Sequence, residues 1–182
     1  RRKIAYLVPS ILVPEGNPKS VKSLDDLNAK GTKVGIGNPG AVCVGLYAVE
    51  VLDKNGIISV VRDDVETQAR SCSATAALVA MDKVDAILGW RVFGEWKPDK
   101  IDIVPIRPDR IPRLAYIPAA VSTYTGNREL AEKFVEFLKS PQARRIFSKW
   151  GYIPSEKKAR KFAPDADIGG KYELPTGFQS GG

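Results

Sequence analysis

The sequence predicts an α/β fold, and three observations carry that prediction. Strand-like apolar runs recur along the chain, helix-like periodic segments lie between several of them, and the order through the middle is β-α-β-α-β. The 182 residues have ordinary apolar content and an average charged fraction, enough to bury a core as one domain or as two small lobes.

The strand-like runs are residues 4–8, 11–13, 32–36, 57–61, 85–88, 101–104 and 114–121. Between them, Ser23-Leu-Asp-Asp-Leu27 opens a short helix capped by Ser23 and ended by Gly31. Residues 42–52 form the next helix, stopped by Asn55-Gly56. Asp63 or Asp64 caps a turn of helix through Gln68, and Ser71 or Ser73 caps a run from Ala74 to Met81. Asn127 caps residues 129–139, with Leu130, Phe134, Phe137 and Leu138 on one face. Ser140-Pro141 then restarts a helix through Trp150, which Gly151 stops. This alternation predicts mostly parallel pairing, with ligands held at the carboxyl ends of the strands. Thirteen prolines fall in three clusters, at 9–18, 105–118 and 154–175, and mark crossovers or tails. After Phe162 the chain is rich in Gly and Pro without periodicity, which reads as a tail or an arm lying on a neighbour.

Composition removes several classes of function. The net charge is +7, but Lys and Arg are dispersed and neighboured by Asp or Glu, so no nucleic acid is expected as a partner. The densest basic cluster, Lys157, Lys158, Arg160 and Lys161, follows a predicted helix and reads as a solvated face, leaving a weak attraction for small anions. No run is long and apolar enough to span a membrane, and none reads as a signal-peptide apolar region; the abrupt start at Arg1-Arg2-Lys3 is what an excised piece of a longer protein would show. Without histidine there is no Ser-His-Asp or Cys-His nucleophile and no imidazole-based zinc site. The two cysteines, Cys43 and Cys72, are too few for a thiolate-only zinc site and too far apart for a CxxC motif.

The stretch Gly35-x-Gly37-x-x-Gly40 has the spacing of a dinucleotide-binding fingerprint, and Asp63 lies near where a ribose-binding acid belongs. Pro39 counts against it, because it removes one backbone N–H from the loop and fixes its turn. Two other readings stand beside it: a tight strand-to-helix turn without ligand, or a helix N-terminus that presents unpaired N–H groups to a small oxyanion. A second such terminus is offered by Ser71-Cys72-Ser73-Ala74-Thr75, whose hydroxyls equally serve as ordinary caps. A third feature is Trp90, after the strand Asp85-Ala-Ile-Leu88; it fits a core, and its indole N–H needs a partner if buried.

Three ordered blocks, Val34-Gly-Ile-Gly-Asn-Pro-Gly-Ala-Val-Cys-Val-Gly-Leu-Tyr-Ala48, Val84-Asp-Ala-Ile-Leu-Gly-Trp90 and Glu129-Leu-Ala-Glu-Lys-Phe-Val-Glu-Phe-Leu-Lys-Ser-Pro-Gln-Ala143 with Ile146-Phe147 and Trp150-Gly-Tyr152, together resemble molybdate-binding proteins, the solute-binding components of ABC importers. Ile11-Leu-Val-Pro-Glu-Gly-Asn-Pro18 and Ser23-Leu-Asp-Asp-Leu27 look like that family's crossover into its second lobe, so the match covers most of the chain to about Tyr152. The resemblance implies a periplasmic-binding-protein-like two-lobe fold, with lobe 2 complete in residues 15–111, lobe 1 partial in residues 1–14 and 112–154, and a C-terminal tail at 155–182. It implies capture of a dehydrated tetrahedral oxyanion, molybdate or tungstate, by neutral donors, with no cofactor, no catalytic residue and no metal beyond the one inside the anion.

Carried across, the backbone N–H groups of Val44 and Cys72 fall where the family donates from two helix starts, with Cys43, Ser71 and Ser73 beside them. Trp90 falls where bacterial members have a tyrosine donor, a departure because an indole reaches differently from a phenol. Gly40-Ala41-Val42 carries no acid, which favours tetrahedral binding over a six-coordinate centre. The family's opening third, which supplies serine donors, has no counterpart before Arg1, so an N-terminal segment or a second chain is expected to supply it. The implied partner is a membrane permease, and the implied location is extracytoplasmic, at the periplasm or cell surface, with a lipid anchor through that absent N-terminus. In this fold Cys43 and Cys72 both lie near helix starts facing the cleft, either paired or as two small thiols. The rival functions are the ligand-sensing domain of a transcription regulator with the same fold, and a nucleotide-dependent enzyme using Gly35-Ile-Gly-Asn-Pro-Gly40.

Overall fold

The computed structural model describes residues 1–28, 31–62, 68–176 and 178. Two sheets organise it. Strands β1 (Arg2–Leu7), β7 (Arg113–Ala119) and β8 (Asp167–Ile168) make a three-stranded sheet in the order β1-β7-β8. Strands β2 (Pro9–Pro14), β3 (Val34–Gly37), β4 (Gln68–Ala69), β5 (Ala86–Trp90) and β6 (Ile101–Val104) make a five-stranded sheet in the order β4-β3-β5-β2-β6. Only Val8 separates β1 from β2, so one extended run passes from one sheet into the other. The prolines that flank β2 sit at its two ends, where a missing N–H costs a ladder least.

The pairing is mixed, a correction to the mostly parallel expectation. β3 pairs parallel with β4 and β5, whereas β2 lies antiparallel between β5 and β6, and β1 antiparallel to β7. The cause is β2, which enters from the other sheet rather than from a crossover helix. The five-stranded sheet is covered on both faces. Ile11, Val13, Val34, Ile36, Ala86 and Leu88 point into one apolar cluster, and Leu12 and Ile87, one residue out of phase, point into the other. Seven helical segments complete the described fold: α1 (Cys43–Lys54), α2 (Ser59–Arg62), α3 (Cys72–Ala80), α4 (Val92–Trp96), α5 (Arg128–Leu138), α6 (Pro141–Lys149) and α7 (Glu156–Ala159). Val49, Val51 and Leu52 of α1 pack in the first cluster, and Val79 of α3 with Phe93 of α4 in the second. Each such buried side chain stabilises by about 1.5–3 kcal/mol relative to exposure.

Other local expectations change. Residues 57–61 do not form a strand: the N–H of Gly56 donates to the Asp53 carbonyl and that of Ile57 to the Leu52 carbonyl, with Gly56 at φ +71. This Schellman stop spends Ile57 on ending α1, and the chain turns at once into α2. The caps proposed at Asp63 and Asp64, and the ribose role of Asp63, lie outside the described residues; Gln68 is in β4 rather than in a helix. Near the start, Asp26 replaces Ser23 as the organiser of the turn, since its Oδ2 accepts from the Lys22 and Ser23 N–H groups and from the Ser23 hydroxyl. The segment after Phe162 packs on its own chain. Ala159, Ala163, Ala166 and Phe178 are buried in the first cluster, and β8 extends the sheet beside β7.

Candidate functional site

Parallel pairing of β3 with β4 and β5 places their carboxyl ends along one edge, and the connections there are short. Five residues separate the end of β3 from α1 and two separate the end of β4 from α3, so both helix N-termini lie at that edge. The Asn38 N–H donates to the Ala69 carbonyl at 2.6 Å and ties the two loops together.

The glycine motif is closed to a pyrophosphate. Gly40 N–H donates to the Asn38 side chain, Ala41 and Val42 N–H donate to the Asn38 carbonyl, Asn38 N–H is spent on Ala69, and Pro39 has none. A phosphate cradle needs those amides free. Gly37 has a packing reason instead, shared with Gly45: a Cβ on Gly45 would stand 2.0 Å from the Gly37 carbonyl oxygen, and one on Gly37 would stand 2.7 Å from the Val44 side chain. Gly37 and Gly45 let α1 lie directly on the end of β3. Asn38 and Gly45 are thus positioning residues that motif spacing missed, although an Asn-Pro pair before a helix is a turn signal in its own right.

The start of α1 is unusual in its chemistry. Its N-cap is Val42, with no side-chain cap, so the first-turn amides are not spent on a hydroxyl or carboxylate. The Cys43 thiol lies at this helix start, and the neighbouring Cys72 thiol, then the Val44 and Cys43 amides, pull it down to about 6 against the opposing effect of partial burial. Cys72 is pushed up by the same contact with Cys43, by burial and by the Cys43 charge. The pair therefore gives up a first proton readily and a second with difficulty. The charge is assigned to Cys43 because the helix-start amides point at its sulfur.

α3 begins with a conventional cap: Ser71 Oγ accepts from the Ala74 N–H at 3.0 Å and lies 3.1 Å from Ser73 Oγ, while the Thr75 N–H and hydroxyl bond to the Ser71 carbonyl. Ser71, not Ser73, is the capping residue. The amides of Cys72 and Ser73 precede Thr75, the first residue whose N–H donates within the helix, to the Ser71 carbonyl. Val44 itself is buried at the cluster containing Trp90, whereas Cys43, Ser71 and Ser73 are exposed and Cys72 is half-buried.

Trp90 ends β5 and is 2% exposed, with Tyr47 of α1 edge-on to it at 4.9 Å. Its Nε1–H is the single buried side-chain polar atom without a hydrogen-bond partner among the described residues. The same N–H lies on the side of the Cys72 sulfur, a weak acceptor, and lowers that thiol without satisfying the indole. Burial pushes the neighbouring Tyr47 hydroxyl up to about 12. The structure thus brings Val44, Cys43, Cys72 and Trp90 together around two helix starts, with Ser71 and Ser73 at the rim.

Comparisons with known proteins agree with this architecture. Residues 1–153 match the family described as bacterial extracellular solute-binding protein. A sulfate-binding protein of Synechococcus elongatus is 27% identical over 170 residues, covering 84% of this chain and 48% of that protein. A Clostridium difficile substrate-binding domain named for a molybdenum ABC transporter superposes with a TM-score of 0.68 at 24% identity, covering 85% of this chain and 66% of that one. A periplasmic thiamin-binding protein gives 0.66 at 17% identity over 97% of this chain and 55% of its own. These superpositions show a periplasmic-binding-protein-like α/β fold, and the chain spans about half the length of the curated relatives it matches. With the family match running through both sheets and both helix starts, the chain belongs to the bacterial extracellular solute-binding protein family.

Proposed function

We propose that this chain forms part of an extracytoplasmic solute-binding protein that captures a small tetrahedral oxyanion, molybdate or tungstate, and delivers it to an ABC permease in the membrane. The carrying observation is a buried Trp90 indole N–H without an acceptor, set beside two helix N-termini of which one has no side-chain cap. An anion there takes the Val44 and Cys72 amides and the indole N–H, and the two helix dipoles favour its charge without any basic residue. In this reading β2 (Pro9–Pro14), which lies inside the five-stranded sheet, joins residues 15–111 in the second lobe, residues 1–8 and 112–154 belong to the first, and further donors and a lipid anchor are supplied by the rest of the full-length protein. Cavity size, rather than charge, selects molybdate over sulfate, since both are dianions and the donors treat them alike.

A thermal-unfolding series with molybdate, tungstate, sulfate, phosphate and NAD tests the reading, because a ligand bound by the folded state alone raises the midpoint. The expected result is a shift with molybdate or tungstate and none with sulfate or NAD. A shift with NAD alone, or none with any oxyanion even when the chain is extended to full family length, overturns it.

A further inference from the structure

We propose that Cys43 and Cys72 form a reversible disulfide that bridges the N-termini of α1 and α3 and lifts the Cys43 sulfur off the Val44 amide, so that the bridged chain is the form that binds the anion. The cross-link stands on where the fold places the two cysteines; its effect on binding rests on the oxyanion reading. The two cysteines are the first residues of helices that follow neighbouring parallel strands, and the Asn38–Ala69 bond holds those two loops together. Each thiol shifts the other, Cys43 downward and Cys72 upward, as neighbours across the two helix starts do. Cys43 is exposed and reachable by an oxidant, and Cys72 stands half-buried behind it, an arrangement of attacking and resolving thiol. Extracellular family membership supplies the compartment in which such a bond persists.

The chemistry balances with a low-molecular-weight disulfide as oxidant. The Cys43 thiolate attacks one sulfur of glutathione disulfide, whose S–S bond breaks and releases one glutathione thiolate. The Cys72 sulfur then attacks Cys43 in the mixed disulfide, gives up its proton, and expels the second glutathione. Two protein thiols are oxidised and one disulfide is reduced to two thiols.

The functional consequence follows from charge. In the reduced chain the Cys43 sulfur occupies the Val44 N–H that the anion needs, and as a thiolate it repels a dianion. Cys72 of α3 and Tyr47 of α1 lie beside it, with Glu50 and Arg113 acting on Tyr47, and Arg70 stands exposed in the loop before α3. No cation is among the groups that shift the Cys43 thiol. Bridging removes the thiolate.

The test equilibrates the chain with glutathione disulfide and maps it by non-reducing digestion and mass spectrometry. The expected product is one peptide pair joining Cys43 to Cys72, two hydrogens lighter than the thiol form, reversed by dithiothreitol, with the unfolding midpoint raised on the order of 10 °C. Glutathione remaining on Cys43, or two free thiols at equilibrium, overturns the cross-link on the unmodified chain, with no variant needed. Molybdate titration of both forms follows. The bridged form should bind on the order of tenfold more tightly at pH 8, and the gap should close as the pH falls below about 6 and the thiolate is protonated. Equal affinities in the two forms overturn the switch, while no molybdate binding in either form overturns the oxyanion reading and leaves the peptide map to decide the bridge.

Discussion

At the scale of single residues, the site is defined by groups whose hydrogen-bonding capacity is either unspent or spent unusually. Trp90 is the clearest. A buried N–H without a partner costs about 1–3 kcal/mol, and a hydrogen bond to a charged group contributes about 1.5–3 kcal/mol. Trp90→Phe should therefore move two readouts in opposite directions: chemical denaturation should show stability unchanged or raised, while molybdate affinity falls at least tenfold. A purely structural tryptophan would lose stability and leave binding alone. Cys43 makes a second case. Its thiol is held down to about 6, below its ordinary 9.0, chiefly by the Cys72 contact. Alkylation by iodoacetamide should rise through about pH 6 for Cys43 and remain slow at Cys72 across the same range. The sign for stability is that of an acid with a depressed folded value: the stabilisation from the thiolate is complete above the unfolded value and is lost as pH falls through about 6. In sequence, the types of these residues were legible and their burdens were not, because neither the empty indole nor the thiol pair exists until β3, β4 and β5 are side by side.

At the scale of elements, caps and stops were the best-encoded features. Asn127, Ser140 and Ser71 each accept an N–H from the third residue on, as their positions before helical patterns predict. The run at residues 57–61 was misread because β-branched residues favour strands locally, whereas the Gly56 stop just before it leaves no extended path. The glycine spacing was legible as a turn, but its purpose is steric. Gly45→Ala puts a methyl group against the Gly37 carbonyl, a backbone atom that cannot swing aside. The substitution should cost more than about 3 kcal/mol by urea denaturation, at the upper end of overpacking. Ser71→Ala removes one cap and should cost only about 1 kcal/mol. Both lie beside the site, so comparing them separates displacement of α1 from loss of an ordinary cap. The apolar face read from α5 is real as a pattern, yet Leu130, Phe134 and Phe137 are exposed; periodicity gives the face of a helix and says nothing of what covers it.

At the scale of the whole molecule, the two sheets are joined by the β1–β2 run and by a side-chain junction at Arg113. This residue belongs to β7 of the three-stranded sheet, but its Nε donates to both oxygens of Glu50 on α1 at 2.9–3.0 Å, its Nη1 to the Gly169 carbonyl, and its Nη2 lies 3.4 Å from Asp167. One guanidinium thus connects the helix of the candidate site, the smaller sheet and the C-terminal segment. Tyr172 adds a second tie through its hydroxyl, 2.8 Å from Asp53 of α1. The sequence showed a Gly- and Pro-rich tail because this segment has no repeating face to bury; its attachment comes from single residues, which periodicity does not register. Glu50 is 2% exposed, so Arg113→Met leaves a buried carboxylate without its cation, at a cost of about 3–5 kcal/mol. The unfolding midpoint should fall on the order of 10 °C, with the C-terminal segment becoming sensitive to limited proteolysis at a lower temperature than the rest. Adding Glu50→Gln should restore part of the loss, since it removes the stranded charge without restoring the junction. A full loss that Glu50→Gln leaves unchanged would instead mean that the guanidinium stabilises through the Gly169 carbonyl and Asp167 and that the pair with Glu50 contributes nothing, which would detach the candidate site from the smaller sheet.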